Sequence, residues 1–357
     1  MLGAQSAEPS RPALGPGADP NDWESYYDYG VSILPERPHQ ADSAFAWANR
    51  LDPTRAEPLY ARWIAFWMTH TGEWAAYLKS DPRVLSRREI VAADSFRVRA
   101  WERNPMVNQA LVMLPMETLP GSRGRDAYSR GWIAYADGAY TDALALFTAA
   151  IASDPKRYSL RYPLALVYTQ TGQYDSAAAQ LERLRNATRR ADTTRLVYVR
   201  QSNEMIEYAL GRLYAAAGRP ADAQRAQERA LEENLGFAPA HAALGKLAAA
   251  RGDTGSAARE LALAVELSPA DGVLRYWYGI ALLTAQRPAE AAVQFRETVR
   301  LEPWFADGYL ALAGAYDARQ DIARAKAANA EFLERAPRRR RPAPIDAPHS
   351  PPPPSER

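Results

Sequence analysis

Residues 131–155 read GWIAYADGAYTDALALFTAAIASDP, and this stretch predicts two helices joined by a tight turn. Gly138 can adopt the positive φ angle that ends a first helix. Asp154-Pro155 ends the second helix, because proline cannot continue a helix and restrains the residue before it. Small residues stand where the two helix backbones would approach closely, namely Gly131, Ala143 and Ala150.

The same pattern recurs along the chain at a fixed period. Small residues repeat every 34 positions in the C-terminal half, at Ala223, Ala257, Ala291 and Ala325. A second row, Gly211, Gly245, Gly279 and Ala313, keeps the same step. A period of this length indicates that one unit cannot bury its own apolar face and must stack on its neighbours. The sequence therefore predicts an array of repeats.

Residues 131–155 resemble the tetratricopeptide repeat in their spacing, their small residues, the aromatic pair Tyr140 and Phe147, and the terminal Pro155. This resemblance implies an all-α fold, a right-handed superhelical solenoid of helix-turn-helix units. Carrying the register along the chain gives about eight units, at residues 22–55, 56–107, 124–157, 158–191, 204–237, 238–271, 272–305 and 306–339.

The register also predicts the organisation of the chain. Insertions near 71–86, 108–123 and 192–203 fall between predicted helices, where a change in loop length costs little. The predicted regions are a disordered segment (1–21), irregular units with insertions (22–123), further units with a linker at 192–203 (124–203), four regular units (204–337), and a disordered basic and proline-rich tail (338–357).

Composition restricts the classes of partner and of chemistry. The net charge of +2 gives no general attraction to nucleic acid or to anionic membranes. The sequence contains no run of 18 or more apolar residues, which is the length that could span a bilayer. The absence of cysteine excludes disulfides and thiolate metal sites. The small residues of 1–7 fit either an ordinary N-terminus or the end of a signal peptide, so both a cytoplasmic and an exported protein stay open.

No residue pattern predicts catalysis, a metal site or a cofactor. The four histidines are scattered, without a second ligand at helical spacing, and no glycine-rich phosphate loop is present. One alternative is an enzyme whose active site lies in the insertions at 71–86 and 108–123. A second alternative is an exported assembly factor for an envelope complex.

The favoured function is a non-enzymatic scaffold that binds a protein or peptide. The resemblance implies that the first helix of each unit lines a concave groove. Tyrosine recurs one turn into these helices, and such a row suits a surface that grips a peptide backbone. The alternative is that each tyrosine packs against a neighbouring helix. The predicted partner-binding residues are Tyr26, Tyr60, Tyr128, Trp132, Tyr162, Tyr208, Arg212, Lys246 and Tyr276.

Overall fold

A computed structural model of the chain describes residues 10–116, 126–188 and 202–340. Within these ranges the regular secondary structure is helical and contains no β-strand, which confirms the predicted all-α solenoid. The α-helices are α1 (Trp23–Ile33), α2 (Pro38–Leu51), α3 (Glu57–Thr69), α4 (Thr71–Leu78), α5 (Pro82–Leu85), α6 (Arg88–Arg103), α7 (Met113–Met116), α8 (Ala127–Ala136), α9 (Tyr140–Ser153), α10 (Arg161–Gln170), α11 (Tyr174–Thr188), α12 (Asn203–Ala216), α13 (Pro220–Glu233), α14 (Ala238–Ala250), α15 (Thr254–Leu267), α16 (Gly272–Thr284), α17 (Pro288–Leu301), α18 (Ala306–Asp317) and α19 (Ile322–Arg335).

Most of these helices form hairpins that stack in chain order. The pairs are α1 with α2, α3 with α6, α8 with α9, α10 with α11, α12 with α13, α14 with α15, α16 with α17, and α18 with α19. The second helix of one pair also packs on the first helix of the next, as α15 does on α16 and α17 on α18. Each hairpin therefore buries its apolar faces against its neighbours, as a repeat array requires.

Local sequence explains where these helices begin and end. The carboxylate of Asp271 accepts hydrogen bonds from the backbone N–H groups of Val273 and Leu274 and so caps the start of α16. Gly138 has a φ angle of 73° after α8, which confirms the predicted turn. In the last two hairpins Gln286 and Gln320 adopt the same left-handed conformation, with φ of 58°.

The two helices of a hairpin approach so closely that a glycine faces a large side chain. A Cβ atom added to Gly279 would lie 2.5 Å from a ring carbon of Phe295, and one added to Gly131 would lie 2.7 Å from Phe147. Gly30 faces Phe45 in the same way in the first hairpin. Each phenylalanine ring thus fills the space that the missing side chain leaves, at the close density of protein interiors.

The insertions are not simple loops where the structure describes them. Residues 71–86 form the helices α4 and α5. Residues 110–116 form a 3-10 turn followed by α7, and the remainder of the second insertion, 117–123, lies outside the described residues. The third insertion lies outside them up to residue 201, and α12 begins at Asn203.

The two ends of the stack contact each other. The rings of Trp47 and Trp304 are 5.2 Å apart, and the guanidinium of Arg11 lies 4.7 Å and 5.3 Å from their centroids. Arg11 also donates a hydrogen bond of 2.9 Å to the hydroxyl of Tyr26. These cation–π contacts and this hydrogen bond attach Arg11, which lies in the segment that sequence analysis expected to be disordered, to the first hairpin and to Trp304. Residues 1–9 lie outside the described part.

The start of the basic tail takes part in the same contact. Arg339 forms ion pairs of 3.2 Å with Asp22 and 3.1 Å with Glu24, and Arg340 pairs with Asp307. Residues 338–340, the start of the tail that sequence analysis expected to be disordered, form a 3-10 turn beside these acidic side chains. Residues 341–357 lie outside the described residues.

We predict that Gly279→Ala lowers the free energy of unfolding by ~1–3 kcal/mol, since the buried Phe295 ring must move to admit a methyl group. Gly314→Ala is the matched control, because nothing lies within 4 Å of a Cβ added there. It should gain about 0.5–1 kcal/mol from helix propensity. Urea unfolding followed by circular dichroism measures both, and equal midpoints would contradict the close contact.

Candidate functional site

Contacts across the interior join the second hairpin to the later ones. Arg103, at the end of α6, forms an ion pair of 2.8 Å with Asp271. The hydroxyl of Tyr208 donates a hydrogen bond of 2.7 Å to the carbonyl of Glu102, and Arg212 donates one of 3.2 Å to the carbonyl of Arg103. Two separate cavities lie on either side of this second hairpin, and together they take up most of the predicted partner-binding residues.

The first cavity, called here the charged cavity, has a volume of about 430 Å³. Helices α6, α12, α14 and α16 all contribute to its wall, so it lies between four different hairpins. Three of the predicted partner-binding residues, Tyr208, Arg212 and Lys246, line this cavity. Its charged and aromatic lining consists of Glu102, Arg103, Tyr208, Arg212, Lys246, Asp271 and Trp277.

Among the cations that line the charged cavity, Lys246 has the pKa that is most strongly shifted. Its side chain is exposed to solvent inside the cavity, whose wall is formed by helices of four hairpins, and the ammonium lies 4.0 Å from the ring centroid of Trp277. This enclosure lowers the pKa of Lys246 to about 7, and the positive charges of Arg212 and Arg103 add to the effect. The amine can therefore gain or lose its proton near neutral pH.

The pKa of a buried carboxyl group, that of Glu302, is shifted in the opposite direction. Burial raises the pKa of Glu302 to about 7, and the negative charge of Asp271 adds to the effect, while Arg103 opposes it. Burial also raises the pKa of Glu102 in the cavity wall. The interior of the superhelix thus holds ionisable groups of both signs that are only partly compensated.

The second cavity, called here the aromatic pocket, has a volume of about 130 Å³. It lies between the second hairpin, with its inserted helix α4, and the third and fourth hairpins. Four predicted residues, Tyr60, Tyr128, Trp132 and Tyr162, line it. Sequence reasoning missed the other members, although the aromatic density of α3 and of the first insertion could have indicated them. These are Trp63, Trp74, Tyr77, Leu78, Arg97, Trp101, Gln109, Val112, Ser159 and Pro163.

One carboxylate orders the wall of the aromatic pocket. Asp94 accepts hydrogen bonds from the hydroxyl of Tyr77 at 2.6 Å and from the indole N–H of Trp63 at 3.2 Å. The same carboxylate lies 3.4 Å from Nε of Arg97, whose guanidinium is 4.5 Å from the ring centroid of Trp101. The pocket is therefore an aromatic enclosure with one charged residue in its lining.

Four of the predicted tyrosines are buried, as the packing alternative predicts. Tyr26, Tyr60, Tyr162 and Tyr208 have exposed fractions of 1 to 4%. The hydroxyl of Tyr162 donates to the carbonyl of Pro105 and accepts from the amide of Gln109. Tyr26 lies near the contact between the two ends of the stack, outside both cavities. A role of these tyrosines in partner binding stays a prediction.

Among the remaining predicted residues Trp132 is also buried, and the other four are more accessible. Tyr128 is half-buried and packs against Trp132, which lies in the wall of the aromatic pocket. Tyr276 is also half-buried, outside both cavities, and its ring lies 5.2 Å from that of Phe305. Arg212 and Lys246 are exposed within the charged cavity. The structure thus distributes the predicted row over two cavities and two isolated positions.

The described residues contain no group of three His, Asp or Glu that could hold a metal ion. Helices long and apolar enough to cross a membrane are also absent from this part of the chain. The first two insertions, which sequence analysis considered as an alternative active site, reach the aromatic pocket through side chains that include Trp74, Tyr77 and Gln109.

We predict that Lys246→Met flattens the dependence of stability on pH between about 7 and 10.5. Over this range the unfolded lysine, with an ordinary pKa of 10.5, holds a proton that the folded one has lost. The stability of the wild-type chain should therefore rise with pH across this window. Thermal unfolding at pH 6, 8 and 10 measures it.

Lys326→Met, at an exposed position of α19, controls for the loss of a lysine. The gain in stability from Lys246→Met should be greatest below pH 7 and vanish towards pH 10.5. The same gain at every pH would contradict an enclosed amine in the charged cavity.

Comparison with known proteins agrees with this architecture. Family models described as tetratricopeptide repeat match residues 134–196, 208–272 and 242–303. No curated protein matches the chain.

Among solved structures, the chain resembles the MamA protein, with 18% identity over 51% of this chain and 92% of that one and a TM-score of 0.43. A C-terminal part of a TPR repeat-containing protein from Cytophaga hutchinsonii has 16% identity over 58% and 78%, with a TM-score of 0.48. YrrB, described as a TPR protein with an unusual peptide-binding site, has 19% identity over 53% and 92%, with a TM-score of 0.41.

The family matches fall on the hairpins from α8 to α17, which include three of the four regular 34-residue units. Repeats of this kind are typical of scaffolds for protein–protein interaction, because stacking creates extended concave surfaces. With its paired helices and these matches, the chain contains tetratricopeptide repeats within residues 134–196 and 208–303.

Proposed function

We propose that the chain is a non-enzymatic scaffold that binds an acidic peptide segment of a partner protein at the charged cavity. The observation that carries this proposal is the pair of exposed cations, Arg212 and Lys246, on neighbouring first helices inside one cavity. An opposite charge that reaches them is attracted in a partly enclosed site, where screening by solvent is weaker than at an open surface.

The shape and the remaining lining of the charged cavity also suit a peptide. A volume of about 430 Å³ admits a few side chains and not a whole domain. Trp277 and Tyr208 offer aromatic surface beside the cations, and Asp271 is already paired with Arg103. The cavity therefore has two cations available for an anionic group and an apolar wall for its neighbours.

We expect peptides selected from a random library for binding to the chain to be enriched in Asp and Glu. Lys246→Glu should weaken their binding at least about tenfold, since a repulsive charge replaces an attractive one. Arg259→Glu, at an exposed position on α15, is the matched control and should leave binding unchanged. Fluorescence anisotropy with labelled peptides measures both variants.

Binding should also weaken as pH rises above about 7, because Lys246 loses the proton that attracts the peptide. Selected peptides without acidic residues, or equal affinities for the two glutamate variants, would refute the proposal.

A further inference from the structure

The aromatic pocket contains hydrogen-bond donors for which the described residues offer no acceptor. The indole N–H groups of Trp74 and Trp101 are buried and unpaired, whereas Nε of Arg97, which also makes no hydrogen bond, lies 3.4 Å from the carboxylate of Asp94. All three side chains line the pocket. An unpaired buried donor lowers stability, so a bound acceptor that satisfied one of these donors would be favoured.

The charges around the pocket select the sign of an occupant. Arg97 lies inside it, and the exposed Arg157 places its guanidinium 4.9 Å from the ring centroid of the half-buried Tyr128 in the pocket wall. Asp94, the carboxylate that contacts Arg97, also accepts hydrogen bonds from Tyr77 and Trp63. Aromatic rings attract cations, but the positive charges of Arg97 and Arg157 already lie beside these rings and disfavour a cationic ligand.

The size of the pocket limits an occupant to about one ring. Cavities near 150 Å³ in protein interiors accept benzene, and this one measures about 130 Å³. Trp74 and Tyr77 present nearly parallel rings, with an interplanar angle of 13°, and Trp63 meets Trp74 edge to face. A flat ring can contact such walls in the stacked and edge-on geometries that aromatic pairs prefer.

We propose that the aromatic pocket binds a small planar aromatic carboxylate, whose ring contacts the tryptophan and tyrosine walls and whose oxygens accept hydrogen bonds from the indole donors. This site is independent of the peptide function proposed for the charged cavity. The same chemistry occurs in a free aromatic acid and in the carboxyl end of a peptide that terminates in phenylalanine.

Benzoate is the probe, and titration calorimetry with the full chain measures its affinity. Benzoate should bind with one-to-one stoichiometry. Its affinity should be at least about tenfold higher than that of toluene, which lacks the oxygens, and that of benzylammonium, which carries the opposite charge. Benzylammonium or toluene binding as tightly as benzoate would overturn the proposal. Competition with a short peptide that ends in phenylalanine, compared with its C-terminal amide, distinguishes the two sources.

Trp101→Phe keeps a ring and removes one unpaired donor, so benzoate should lose roughly tenfold in affinity while toluene changes little. Trp67→Phe is the matched control, because the Trp67 indole is also buried and unpaired but does not line the pocket. It should bind benzoate as the wild-type chain does. Equal benzoate affinities for both variants would overturn the proposal.

Arg157→Gln, an exposed change that leaves the core intact, should weaken benzoate several-fold and leave toluene unchanged. An unchanged ratio of the two affinities would also count against the proposal. Peptides selected for the charged cavity should bind Trp101→Phe normally, so a failure of either proposal can be recognised separately.

Discussion

The constraint on which the structure depends is the close approach of the two helices in each hairpin. Where Gly279 meets Phe295, no space remains for even a methyl group, and Gly131 and Phe147 repeat the contact earlier in the chain. Hairpins that are this closely paired stack with little freedom between neighbours. Curvature accumulates over the stack until its two ends meet at Trp47 and Trp304.

Contact between the two ends of the stack changes which residues of the inner face are accessible. In an open superhelix the inward tyrosines would line one continuous groove. Here the end of α6 reaches α12 and α16, and Arg103 pairs with Asp271 across the interior. Enclosure lowers the pKa of Lys246 and raises that of Glu302. Four of the six tyrosines become part of the core, while the two cavities beside the second hairpin offer room for other molecules.

Much of the fold could be predicted because the repeat encodes it locally. The spacing of small residues, the turn at Gly138 and the recurring prolines identified the helix pairs from one hairpin to the next. The candidate site was less predictable. The register showed which residues point inward, such as Tyr208 and Lys246, but burial of the first and exposure of the second depend on hairpins that are distant in the sequence.

The sequence by itself determined the helical hairpins and the residues that face the interior, because periodicity, caps and turn residues act within one unit. Only the tertiary structure decided that the two ends of the stack meet, that Arg11 and the start of the basic tail are held, and that insertion residues such as Trp74 enclose an aromatic pocket. The physical reason is that these contacts join residues far apart in the sequence. Their formation depends on the curvature summed over the whole stack.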